Sequence, residues 1–327
     1  MTKQIKYSFI LIILYFGLEI NALGQTESQI IPTEKKQLTI VTEPASLYKG
    51  FFRAGVIGSY FVVDKYFDED GNRNYFPEST WARSWSMYLM AQYGITDRLQ
   101  FDLMLPYQNE AWYYSQLIIA PGLDTDLDQS WNLRGNGLSD MSMYLRYQLL
   151  QENETFPSIT GEIGITLPTG RKNPTDIKDD YDYKLPTGTG EASTNFRLLA
   201  RKIMYPYSFK FYVDYTYSMG GTKLFNSYDT EELSFKSGSR IDFGGSVDIL
   251  LNEWIAFTNE LSYFSYGKDE IDEVIQEDIT SPSGFSYEGR LVFQIKQFRI
   301  GEAIRVPLKA KNTGADPLYV MIIQYVF

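Results

Sequence analysis

The sequence closes with PLYVMIIQYVF, Pro317 to Phe327, in which Tyr319, Met321, Ile323, Tyr325 and Phe327 share one parity. An extended strand carries residues of one parity on one face. Chain ends of soluble domains tend to fray, yet this apolar run ends a chain of net charge −11 and mean hydropathy −0.26. Such a strand needs a partner along each edge and an apolar medium against one face. A β-barrel in a membrane supplies both, because the last strand pairs with the first and leaves no edge open in lipid.

Working backwards, segments of about ten residues with period-two alternation recur about twelve times from residue 47 onward, the signature of a membrane barrel strand rather than of a helix. In WSMYLMAQY, Trp85, Met87, Leu89, Ala91 and Tyr93 share one face, and Ser86, Tyr88 and Gln92 the other. In LQFDLMLPY, Leu99, Phe101, Leu103, Leu105 and Tyr107 alternate with Gln100, Asp102, Met104 and Pro106. The same parity runs through Ser139–Leu149, Ile159–Leu167, Tyr207–Met219, Ile241–Ile249, Ile255–Tyr263 and Phe285–Ile295. It is weaker in Phe51–Val63, Glu191–Arg201 and Phe298–Pro307, the last with Glu302 on its apolar face.

The connections alternate in length. Gly94–Arg98, Gln151–Phe156, Met204–Pro206, Leu251–Glu253 and Lys296–Gln297 are short. Lys65–Thr80, Tyr114–Gly137, Arg171–Gly188, Gly220–Gly238, Lys268–Gly284 and Lys309–Pro317 are long, polar and rich in Gly, Asp or Pro. A soluble sandwich has no reason to alternate loop length hairpin by hairpin, whereas outer-membrane barrels pair short periplasmic turns with long external loops. The fold expected is therefore all-β: a transmembrane antiparallel up-and-down barrel of about 12 strands over residues 47–327.

At the other end, Lys3 and Lys6 precede the apolar run Ser8–Leu18, and Ala22 and Gly24 occupy small-residue positions before Gln25. The run is shorter than the roughly 20 residues that span a bilayer, so residues 1–24 read as a cleaved signal peptide and 25–46 as a periplasmic segment. Without Cys there is neither a lipoprotein anchor nor a disulfide. The signal contains two Lys and one Glu, so 28 basic and 40 acidic residues remain, a net of −12 that disfavours nucleic acid as a partner. The expected place is the outer membrane of a Gram-negative bacterium.

Three stretches carry a more specific likeness: YGITDRLQFDLMLPY (Tyr93–Tyr107), GNGLSDMSMYLRYQLL (Gly135–Leu150) and ITGEIGITLPTG with LPTGTGEASTNF (Ile159–Gly170, Leu185–Phe196). Over roughly residues 85–220 the chain resembles the outer-membrane proteins grouped as the MetA-pathway of phenol degradation family. Each motif also has a plain structural role: a tight Asp-containing turn, a Gly-rich approach to a strand, and Pro-Thr-Gly where a strand breaks into a loop. The resemblance implies a channel or transporter for small solutes, aromatic or apolar ones among them, and carries no residue set with it.

The chain has no His. A Ser–His pair or an Asp–His dyad, the machinery of outer-membrane phospholipases and proteases, cannot be built, nor can a His/Cys zinc site. No enzymatic activity, cofactor or metal is expected. Asp124, Asp126 and Asp128 have the spacing of the first ligands of an EF-hand loop, but Gln129 and Gly135 stand where Gly and a bidentate Glu are required. They read as a solvated loop, as does Asn173–Tyr183.

Alternation sends both signs of charge inward: Asp102, Asp140, Glu162, Asp214, Asp242, Asp248, Glu260 and Glu288 against Arg146, Arg197, Arg201, Lys210, Arg240, Arg290, Arg299 and Arg305. On the lipid side a buried cation costs about 2–4 kcal/mol near the midplane, so these are expected to line the lumen. They either border an aqueous path or pair across a narrow bore and plug it. Inward Tyr88, Trp112, Tyr144, Tyr212 and Phe264 are the aromatic candidates for solute contact, while outward rings near both strand ends form interfacial girdles. Tyr325 and Phe327 resemble the carboxyl-terminal signal that barrel-assembly machinery reads. The expected partners are that machinery, outer-membrane lipid and lipopolysaccharide, and a small-molecule solute.

Overall fold

The computed structural model describes residues 47–76, 81–118, 127–176, 183–225, 230–276 and 281–327. The signal peptide, the 25–46 segment, Asp124, Asp126 and most of the second acidic loop lie outside the described residues.

Every regular element among the described residues is a strand. Twelve of them, all antiparallel to their neighbours, close a barrel: β1 (Phe52–Val63), β2 (Trp81–Gly94), β3 (Leu99–Ile118), β4 in two pieces (Leu127–Leu138 and Met141–Leu150), β5 (Ser158–Leu167), β6 (Glu191–Met204), β7 (Tyr207–Lys223), β8 (Arg240–Leu250), β9 (Ile255–Tyr266), β10 (Ser283–Ile295), β11 (Phe298–Lys311) and β12 (Leu318–Val326). Each strand pairs with the next, and β1 pairs with both β2 and β12, from Arg53 opposite Val326 to Phe61 opposite Leu318. The Phe327 N–H completes the seam by donating to the Phe52 carbonyl at 2.7 Å.

The distribution of side chains is the reverse of a soluble domain's. The largest fully buried side chains are Gln100, Thr160, Asp248, Ser158 and Ser208. Phe211, Leu261, Leu198, Ile163 and Leu89 stand exposed on the outer wall. An apolar band of this extent needs an apolar solvent. Rings flank it towards both ends. At the long-loop end Trp85 lies 5.5 Å from Tyr107, and Tyr263 sits between Phe243 and Phe285 at 5.1 and 4.7 Å. At the short-turn end Phe52, Phe327, Tyr325 and Phe298 form a continuous run.

Three details differ from the sequence reading or refine it. Tyr114–Gly137, expected as a loop, is largely strand, because β3 continues to Ile118 and pairs with Leu127–Leu138 as a tall hairpin. At the foot of this hairpin β4 bulges. Between the pairs Met104–Ser142 and Tyr107–Leu138, two residues of β3 face three of β4. The bulge lies beside Pro106, which has no N–H to offer a ladder, and whose carbonyl accepts from the Ser139 N–H at 2.8 Å. Finally, Glu302 does lie on the outward face of β11, opposite Leu291 and Met321, and one carboxylate oxygen is buried without a hydrogen-bond partner.

The bulge also explains Asp140. Rather than lining the lumen, as its parity suggested, this buried carboxylate anchors the loop between β5 and β6: Oδ1 accepts from the Gly170 N–H at 2.9 Å, and Oδ2 from the Thr189 N–H and hydroxyl at 2.7 and 2.8 Å. Further along the loop the Leu185 N–H donates to the Arg134 carbonyl at 2.7 Å, and the Thr187 hydroxyl to that of Leu138 at 2.7 Å. Gly135 makes room, since a Cβ there would lie 2.7 Å from that of Leu185. The two LPTG stretches and the GLSD stretch thus meet at one knot. A hydrogen bond to a charged group contributes about 1.5–3 kcal/mol, so Asp140→Ala should release the loop while sparing the barrel. Limited proteolysis is expected to nick the variant between β5 and β6 at least tenfold faster than the parent, with heat-modifiable gel mobility unchanged; equal cleavage would show that the knot is not what holds the loop.

Candidate functional site

The inner wall encloses a cavity of about 590 Å³. Strand register alone determines which side chains meet there. Arg146 stands opposite Glu162, Glu162 opposite Arg197, Arg197 opposite Asp214, and Asp214 opposite Asp242. The result is a belt of charge across β4–β8.

Contacts follow the register. The Arg146 guanidinium lies 2.8 Å from Glu162 and 3.3 Å from Asp102. Arg197 reaches Asp214 at 2.5 Å and Glu162 at 3.7 Å, and Asn195 donates to the other Asp214 oxygen. Arg240 holds Asp242 on the same strand through two bonds of 2.6 Å and donates to the Tyr266 hydroxyl at 2.6 Å. Lys210 lies 3.3 Å from Asp248, which also accepts from Thr258 at 2.7 Å. Glu260 accepts from the Tyr212 hydroxyl at 3.0 Å. Glu288 is shared by Arg290 at 2.5 Å and Arg305 at 2.8 Å. Arg299 donates to Gln324 at 3.2 Å. Every one of these ion pairs lies within a strand or between neighbouring strands, so these pairs neutralise charge along the wall rather than across the bore.

Of the expected lumen residues, Asp102, Arg146, Glu162, Arg197, Lys210, Asp214, Arg240, Asp242, Glu260, Arg290, Arg299 and Arg305 border the cavity. Three do not. Asp140 is in the loop knot, Glu288 lies buried behind its two arginines, and Arg201 is buried towards the short-turn end, 3.5 Å from Glu152 of the β4–β5 turn. Asp248 is buried behind Lys210 in the same way. Tyr144 and Tyr212 border the cavity, while Tyr88, Trp112 and Phe264 do not.

Sequence reasoning missed the remaining stretch of wall. Val292 stands opposite Gly301, Gly301 opposite Ile322, and Ile322 opposite Ile57. Met90 stands opposite Met104. All six border the cavity. This apolar strip on β10–β12 and β1–β3 faces inward by parity, and inward alternation was the signal for it, but attention to charge passed over it. The cavity is therefore charged and hydrogen-bonding over most of its wall, with an apolar strip on β10–β12 and β1–β3 that Arg290, Arg299, Gln324, Gln92 and Asp102 flank on the same strands.

At the long-loop end, Glu232 accepts from Lys172, Thr222 and Asn173 at 2.5, 2.6 and 2.8 Å. These bonds, that from Lys172 foremost, hold its carboxyl down at about 2. A depressed carboxyl lends stability above its ordinary value near 4.5 and loses it only as pH falls towards 2, so this clamp between the β5–β6 and β7–β8 loops persists through mild acid.

A closed antiparallel barrel with an apolar exterior and a polar, cavity-bearing interior defines the class of outer-membrane barrels. No protein-family model matches the chain. Among solved structures it is similar to the COG4313 outer membrane channel of Pseudomonas putida F1, with 13% identity, 87% of this chain and 98% of that one covered, and a TM-score of 0.66. Looser likenesses are the translocator domain of the autotransporter NalP of Neisseria meningitidis (8% identity, 90% and 95% covered, TM-score 0.48) and the CymD monoaromatic hydrocarbon channel (8%, 86% and 88%, TM-score 0.43). At 13% identity it is the fold alone that is shared with the Pseudomonas putida channel.

Proposed function

We propose that this protein is an outer-membrane channel of a Gram-negative bacterium for small solutes, aromatic or apolar ones among them. The observation that carries the reading is the mixed lining of the lumen. A merely structural barrel could fill its bore with any well-packed side chains, whereas here an apolar strip and a belt of guanidinium and carboxylate groups share one cavity, as a solute with an apolar body and a polar group requires. The fold shared with the Pseudomonas putida channel supports it, as does the motif resemblance to the phenol-degradation family. The absence of His speaks against hydrolytic chemistry in the lumen.

Conductance of the refolded protein in planar bilayers tests this reading. Discrete steps are expected, and their amplitude should fall when an aromatic solute is added to one chamber. A silent membrane, with folded protein verified by heat-modifiable mobility, would favour the rival reading of a plugged barrel with an architectural role.

A further inference from the structure

The charges of the inner wall are nearly balanced in number but not in depth. In the pair Arg197–Asp214 the arginine side chain is 40% exposed and the aspartate 8%. In Arg240–Asp242 the figures are 40% and 19%, and in Arg305–Glu288 they are 42% and 3%. In each pair the acid lies back in the wall and the base stands forward in the cavity. The cause is side-chain length: an inward Asp is short and its carboxylate stays near the sheet, while arginine carries its charge on a long stem. Coulomb interaction falls with distance, so a solute in the bore meets guanidinium before it meets carboxylate.

We propose, building on the channel reading, that the lumen selects anions, and that its solute class is a small organic carboxylate with a flat apolar body. Guanidinium offers a planar fork of N–H donors that matches a carboxylate, and its faces stack on rings. Two of the three forward arginines already lie beside aromatic faces: Arg240 is 5.0 Å from the Tyr266 ring and Arg197 is 5.9 Å from that of Tyr212. The apolar strip on β12 and β1 receives the rest of the molecule. The selected ion thus has the same sign as the chain's own net charge of −11, contrary to what that net charge alone would favour.

The full-length protein in a planar bilayer under a KCl gradient gives the sign directly. The expected reversal potential is that of a chloride-preferring pore, and Arg197→Gln, Arg240→Gln and Arg305→Gln should each lower the chloride-to-potassium permeability ratio several-fold. In proteoliposome swelling, benzoate should enter several-fold faster than benzylammonium, a cation of similar size. A potassium-preferring pore, equal entry of the two probes, or glutamine variants that fold by heat-modifiable mobility yet keep the parent ratio would each overturn the assignment while leaving a channel standing. Absence of any conductance or swelling would overturn both this assignment and the channel reading beneath it.

Discussion

Removal of Tyr325–Phe327 is expected to abolish most folding into the outer membrane while leaving export intact. These residues supply the Phe327–Phe52 backbone bond at the seam and link the rings of Phe298, Tyr325, Phe327 and Phe52 across β11, β12 and β1. The deletion removes all three ring pairs of that run, each worth about 0.5–1.5 kcal/mol, and with them the two register pairs that join Ala54 and Arg53 to β12. A loss of about 1.5–4.5 kcal/mol lowers the folding equilibrium constant at least tenfold. Phe327→Ser should show the same defect in milder form. The fraction of protein running in the compact, heat-modifiable position measures it, and a truncated chain that assembled at the parent yield would refute the role given to this end.

Glu162→Met is the second large effect. Glu162 is buried between Arg146 at 2.8 Å and Arg197 at 3.7 Å, so its loss removes one of the three carboxylates that neutralise these two guanidinium groups, leaving Arg146 to Asp102 and Arg197 to Asp214. Breaking a buried pair from one side costs about 3–5 kcal/mol, whereas replacing both partners by apolar groups is often neutral. The urea midpoint of the barrel in lipid vesicles should fall markedly in the single variant, and much of the loss should return in Asp102→Asn, Arg146→Met, Glu162→Met, where Arg197 keeps Asp214 and no carboxylate is left without its arginine. A single variant as stable as the parent would mean that the belt adds nothing to stability.

The parts legible in the sequence are those set by period two. Phe209, Phe211, Val213, Tyr215 and Tyr217 alternate so cleanly that β7 and its outward face could be read residue by residue, and Arg197, Asp214 and Glu162 followed from the same parity. Where a local irregularity intervenes, alternation misleads. Asp140 has inward parity, but the bulge beside Pro106 gives its carboxylate to the β5–β6 loop. Leu127–Leu138 contains Gly135, Asn136 and Gly137 and so looks like a loop, yet β3 provides it with a complete ladder of partners. The depth ordering of acids and bases was also out of reach, because parity says which way a side chain points and nothing about how far it extends.

The charge belt has a bearing on how the barrel finds its shape. Hydrophobic alternation repeats every two residues, so it rejects a strand that slips by one but cannot tell the true alignment from a slip of two. A two-residue slip of β6 against β5 would keep every outward residue outward and yet bring Arg197 opposite Thr160 or Gly164 in place of Glu162. The charges break that degeneracy at β4–β5, β5–β6 and β6–β7 in turn, where each native pairing matches opposite signs. Since strand stagger fixes the tilt and girth of a closed barrel, this ladder of opposite charges is a vernier that distinguishes the native stagger, and with it the barrel's dimensions, from its two-residue neighbours.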